Sequence, residues 1–141
     1  MAKVHKKGKK MTYLIDGIDI SNLLKASKKF EEFRVHLDNE QYKAGAVQAF
    51  EYTYEIAWKT MKRLLEVQGK SPYTPREIFR EAASSGLISD PTIWFEFIKM
   101  RNITVHTYNE QNIEQIILIF DDFSRAIQDL LKNIGKLNDR P

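Results

Sequence analysis

From Leu23 onward, apolar residues recur every three or four positions, the period of a helix with one buried face. Asp19 or Ser21 can cap a first helix, in which Leu23, Leu24, Ser27, Phe30, Phe33 and Leu37 share that spacing up to about Asn39. A second helix is predicted from about Glu40 to Gln68, with Val47, Phe50, Tyr54, Ala57, Trp58, Met61, Leu64 and Leu65 as one stripe. Gly69 follows, where a helix C-terminus favours a left-handed residue. Gly45 lies inside the pattern at a cost of roughly 1 kcal/mol against Ala, which a close approach by another helix would explain.

Thr74-Pro75-Arg76-Glu77 combines an N-cap, a proline in the first turn and a capping-box glutamate. It predicts a short helix with Ile78, Phe79 and Ala82 inward, ended by Gly86 and Leu87. Asp90-Pro91 repeats the start signal. Trp94, Phe95, Phe97 and Ile98 then make the next helix apolar on more than one side. A last helix is predicted from Thr107, where Thr107-Tyr108-Asn109-Glu110 has capping-box form. Its stripe runs from Ile113 through Ile116, Ile117, Phe120, Phe123, Ile127, Leu130, Leu131 and Ile134 to Leu137, about seven turns. Between Ile116 and Phe120 the apolar residues go most of the way round, which suggests contact with a second body such as a twofold copy. No stretch alternates as a strand should, and residues 12–20 read as a lead-in without firm structure. The expected fold is all-α: an antiparallel four-helix bundle with one additional short helix, forming a single domain over residues 12–141.

Charge changes the picture at the N-terminus. Lys3, Lys6, Lys7, Lys9 and Lys10 crowd the first ten residues, so residues 1–11 are expected to be a basic flexible arm. Without those five lysines the chain holds 17 basic and 19 acidic residues, and the body is not a basic domain. The chain has no cysteine, which excludes a disulfide framework and thiolate metal sites and suits a cytoplasmic location. The longest apolar run, Ile116 to Phe120, is far too short to span a bilayer.

The segment with chemical content is Arg101-Asn102-Ile103-Thr104-Val105-His106-Thr107-Tyr108. A histidine near neutral pKa can take a proton from a 2′-hydroxyl or give one to a leaving oxygen. An arginine fork can hold a phosphate and stabilise charge on its oxygens, and an asparagine can orient the histidine. On one unbroken helix Arg101 and His106 would point about 140° apart. The cap signal at Thr107 suggests a break near Asn102 or Thr104 that lets them converge. One histidine does not easily serve as both base and acid; two copies of the motif in one cleft would supply both. Spacing alone favours Arg101 as a surface ion-pair partner and His106 as a loop histidine.

Several features run in one order over roughly residues 20–137: Phe50 through Lys59, Pro75 through Ala82 with Gly86-Leu87-Ile88, Trp94, and Arg101-Asn102 with His106 and Tyr108. This order resembles the HEPN superfamily, within it the nucleotidyltransferase-substrate-binding or HepT-like toxin subfamily. The resemblance implies a dimerising helical bundle that acts beside a small, separately encoded nucleotidyltransferase. It implies Arg101 and His106 as catalytic residues of a metal-independent ribonuclease, with Asn102 adjoining and no cofactor. It also implies Tyr108 as the residue that the transferase modifies with AMP. The alternative is a non-catalytic substrate-binding subunit of the transferase complex, and a third reading is a plain helical dimer.

Other residues weigh less. Glu51 and Glu55, one turn apart, lack the companions of a metal site; either is expected to support Arg101, and Glu55 also suits an ion pair with Lys59. Trp58 and Trp94 are expected in the core rather than stacked on a base, and His36 is expected to be structural.

Overall fold

The computed structural model describes the backbone of residues 3–7, 10–106 and 109–137, and the side chains of 14–104 and 109–137. Among these there are six helices: α1 (Ser21–Arg34), α2 (Glu40–Val67), α3 (Pro75–Ser84), α4 (Pro91–His106), α5 (Glu110–Ile117) and α6 (Phe120–Lys136). Helices α1, α2, α4 and α6 pack in a ring around one core, with α3 against α2 and α4, and α5 against α4 and α2. The fold is therefore the expected all-α bundle. No described helix is long and apolar enough to cross a membrane.

The starts and stops follow from local chemistry. Thr74 Oγ1 accepts from Glu77 N at 3.2 Å, and Glu77 Oε2 accepts in return from Tyr73 N at 2.9 Å. At the other end of α3, Gly86 has φ +81, Leu87 N donates to Ala82 O at 2.8 Å and Gly86 N to Ala83 O at 3.2 Å, the paired bonds of a left-handed C-terminal cap. Gly69 ends α2 the same way, with φ +83 and Lys70 N donating to Leu65 O. Asn39, which resembles a stop in the sequence, is instead the N-cap of α2: its Oδ1 accepts from Gln41 N and Tyr42 N. Helix α1 accordingly ends five residues earlier than expected, at Arg34.

Three expectations are corrected. Residues 3–19 contain a three-stranded antiparallel sheet of order β1-β2-β3 (Lys3–Lys7, Lys10–Ile15, Ile18–Asp19), where the sequence suggested no strand. The signal was Asp16-Gly17: both have positive φ, 51 and 80, closing a two-residue hairpin between Ile15 and Ile18. The expected long last helix is two helices, because the chain turns at Leu118 and Ile119. That turn aims both Ile116 and Phe120 into the core and leaves Leu118 80% exposed, which accounts for much of the all-round apolar run. The third correction, the length of α4, belongs to the site.

The core is aromatic. Phe123 is fully buried, with the rings of Phe50, Phe97 and Phe30 edge-on at 4.8, 5.0 and 5.2 Å. Trp94 packs with Phe79 and Phe97, each at 5.1 Å, as a core residue. Trp58 is half-buried against the same core, and exposed His36 lies against the Tyr42 ring.

Gly45 permits the close approach of α1 to α2. A methyl there would meet Phe33 Cε1 at 2.8 Å and Cδ1 at 2.9 Å. Gly45→Ala gains roughly 1 kcal/mol of helix propensity but displaces the Phe33 ring at a cost of about 1–3 kcal/mol. The expected net result in chemical denaturation is a loss of about 1 kcal/mol. A more stable variant would mean that the ring swings away freely.

Candidate phosphate-binding site on helix α4

Helix α4 begins with Asp90 Oδ1 accepting from Thr92 N at 2.8 Å. Its buried face carries Trp94, Phe97, Met100 and Thr104. Arg101 sits at the edge of that face and Asn102 is exposed. The break expected near Asn102 or Thr104 is absent, and α4 continues to His106. No glycine or proline interrupts it, and the Thr104 hydroxyl donates to Arg101 O at 2.7 Å. Burial of Met100 and Thr104 keeps the last turns packed. The next helix is capped by Asn109, not Thr107: Asn109 Oδ1 accepts from Asn112 N at 2.8 Å. Asparagine is the stronger N-cap of the two.

Arg101 and His106 are therefore placed on one helix, with backbone positions about 140° apart, while Asn102 and His106 differ by about 40°. The His106 side chain and the whole of Thr107 and Tyr108 lie outside the described residues.

Arg101 is held from α2. Its Nε lies 3.4 Å from Glu55 Oε1, and the other Glu55 oxygen lies 3.8 Å from Lys59 Nζ. The Arg101 Nε is buried and has no hydrogen-bond partner, so the contact is an ion pair without a well-aligned bond. Glu51 is not within ion-pair distance of Arg101. The side chain of Arg101 remains 24% exposed. With Nε turned inward, the fork's terminal nitrogens are the part left to meet an oxyanion. Among the described residues no group of three or more histidines or carboxylates is placed to hold a metal ion.

Tyr54, which the α2 stripe marks only as core, is buried one residue before Glu55. Burial, reinforced by Glu55, pushes its phenol above the ordinary value, while Arg101 and Arg76 pull the other way. The folded chain thus keeps a proton that the unfolded chain loses near pH 10. The stability this group contributes is fully present below about pH 10 and falls as pH rises further. Tyr54→Phe is expected to flatten that alkaline loss in urea midpoints measured against pH; an equally steep loss would place its cause elsewhere.

The fold is thus a helical bundle that presents an arginine at the edge of the buried face of α4. The chain belongs to the family of nucleotidyltransferase substrate-binding-protein-like proteins, whose model matches residues 18–136. It is 37% identical over 100 residues to a Haemophilus influenzae protein named probable ribonuclease HepT, covering 67% of this chain and 68% of the relative. Among solved structures it is similar to HI0074 of Haemophilus influenzae, described as having the fold of a substrate-binding domain of a nucleotidyltransferase. That match has 31% identity and a TM-score of 0.73, and covers 80% of this chain and 96% of HI0074. A tri-AMPylated Shewanella oneidensis HEPN toxin in complex with MNT antitoxin shares the fold, with 16% identity, a TM-score of 0.65 and coverage of 86% and 94%.

Proposed function

We propose that this protein is the HEPN-type partner of a small, separately encoded nucleotidyltransferase, and that it cleaves RNA without a metal ion in the cleft of a homodimer. The observation that carries the proposal is the anchored Arg101 on the helix that also bears His106. Within one chain the two positions diverge, and a cleft shared by two copies would let Arg101 of one chain act on the same phosphate as His106 of the other. One histidine accepts the 2′-hydroxyl proton as O2′ bonds to phosphorus. The P–O5′ bond breaks, and the second histidine gives a proton to the departing O5′. Arg101 holds the non-bridging oxygens as their charge grows, and Asn102 orients the imidazole. Tyr108 is the proposed AMP acceptor: its phenolic oxygen would take the adenylyl group from ATP as pyrophosphate leaves, a reaction performed by the transferase.

The family name and two named relatives support the transferase partnership, and the name of the Haemophilus relative supports the ribonuclease. The second reading, a binding subunit without catalysis, is favoured by the slight acidic excess outside the first ten residues.

The test is cleavage of labelled RNA by the purified chain in excess chelator, with expression of the chain alone arresting growth. Absence of both would reject the ribonuclease and leave the non-catalytic readings. After co-expression with a transferase, mass spectrometry is expected to find AMP on Tyr108; AMP confined to other residues would reject that assignment. Glu55→Gln is expected to slow cleavage about tenfold, because Arg101 loses its tether without losing its charge. An unchanged rate would remove Glu55 from the site.

A further inference from the structure

Arg76 and Arg80 stand one turn apart on the exposed side of α3, and both lie over the half-buried ring of Phe95 in α4. Their guanidinium carbons are 5.0 and 5.5 Å from its centroid. Among the described residues neither makes an ion pair. The acids of α3 are engaged elsewhere: Glu77 accepts from Tyr73 N at the helix start, and Glu81 pairs with Lys70 at 3.3 Å. Glu96, next to Phe95, is exposed and outside ion-pair distance of both arginines. Arg76 also occupies the first turn of α3, where the helix dipole disfavours a cation. Helix stability therefore does not explain its charge.

The geometry fits an anion. A guanidinium held over an aromatic ring and without an ion-pair partner keeps N–H donors for a phosphate. Two such groups one helical turn apart can hold successive charges on an extended polyanion. Tyr73, three residues before Arg76, is 85% exposed and offers an aromatic face to a base. Phe95 stands six residues before Arg101 on α4, about 9 Å along the helix axis, and α3 packs against both α4 and α2.

We infer that Arg76 and Arg80, shelved on Phe95, form a track for the backbone of single-stranded RNA on its way to Arg101, with Tyr73 stacking a base. The inference rests on the RNA-cleaving reading of Arg101. Recognition here is by phosphate and stacking, so it is indifferent to sequence.

The test is fluorescence anisotropy of a short labelled single-stranded RNA with the full chain, across a salt series. Arg76→Ala/Arg80→Ala is expected to bind about tenfold more weakly for every sequence tried. The slope of log affinity against log salt should shrink by about 1.4, as two phosphate contacts are lost. In cleavage assays KM rises with kcat unchanged. Arg76→Lys/Arg80→Lys is expected to retain the slope while losing part of the affinity. If the double alanine variant melts early, each single variant should show about half the slope change. Unchanged affinity and slope in a folded variant, with cleavage intact, overturns the track and leaves the Arg101 site standing. A wild type that neither binds nor cleaves RNA overturns both. Loss of binding to a transferase with RNA affinity unchanged also overturns the track and assigns the pair to an acidic protein surface.

Discussion

Arg101→Ala is expected to reduce RNA cleavage by roughly 100- to 1,000-fold while leaving the melting temperature nearly unchanged. The rate effect is large because a phosphodiester under attack gathers charge on its non-bridging oxygens, and Arg101 is the cation of the α4 motif. The stability effect is small because the pair with Glu55 is only partly buried, 24% and 32% exposed. Truncating one partner of such a pair costs about 1 kcal/mol at most. Burial of Nε beside Glu55 fixes the direction of the fork, so Arg101→Lys is expected to recover little: an ammonium restores the charge but not the planar donor edge. Initial rates, circular dichroism and melting of the same preparations check this. A variant that cleaves at the wild-type rate would remove Arg101 from the chemistry.

Phe123→Ala is expected to have the largest effect on stability, a loss of about 3–5 kcal/mol. Phe123 on α6 is fully buried and joins three helices through its ring contacts with Phe30 on α1, Phe50 on α2, and Phe97 and Trp94 on α4. The variant leaves a cavity that these rings cannot collapse into without abandoning one another. Because Phe97 and Trp94 seat the helix that bears Arg101, catalysis should fall as well, in proportion to the unfolded fraction. Phe123→Leu retains most of the volume and is expected to lose about half as much. Urea denaturation measures both; a loss under 1 kcal/mol for the alanine variant would mean that the core repacks.

What the sequence carried depended on the range of the signal. The cap and proline at Thr74-Pro75, the glycines at 69 and 86, and the stripes of α2 and α6 were legible because each is fixed by residues within one or two turns. The end of α4 was not. The capping-box pattern at Thr107 and the stronger cap at Asn109 lie two residues apart, and only the packing of Met100 and Thr104 decides how far α4 runs. The turn at Leu118 was hidden because the apolar period continues across it. The hairpin at Asp16-Gly17 was visible as a dipeptide but lacked the alternating strands that would have drawn attention to it. At the site, one of the two carboxylates expected to support Arg101 does so: Glu55 reaches it from another helix and Glu51 does not. A one-turn shift along α2 separates the two, and that depends on how the helices are set against each other. The α3 arginines meet Phe95 for the same reason, and no local pattern announces it.

The divergence of Arg101 and His106 on one helix makes the composite cleft the central claim, and diluting the wild type with an inactive chain tests it most directly. His106→Ala is expected to be inactive alone. In a dimer of one wild-type and one His106→Ala chain the cleft holds one histidine, so it lacks either the base or the acid. After co-refolding equal amounts of equally folded chains, about a quarter of the dimers are fully wild type, and chelator-resistant RNA cleavage should fall to about a quarter of that of the same total amount of wild-type chain. Mixed dimers that form, as followed by two distinguishable tags, while cleavage falls only to about a half, as chains acting independently would give, would contradict the account.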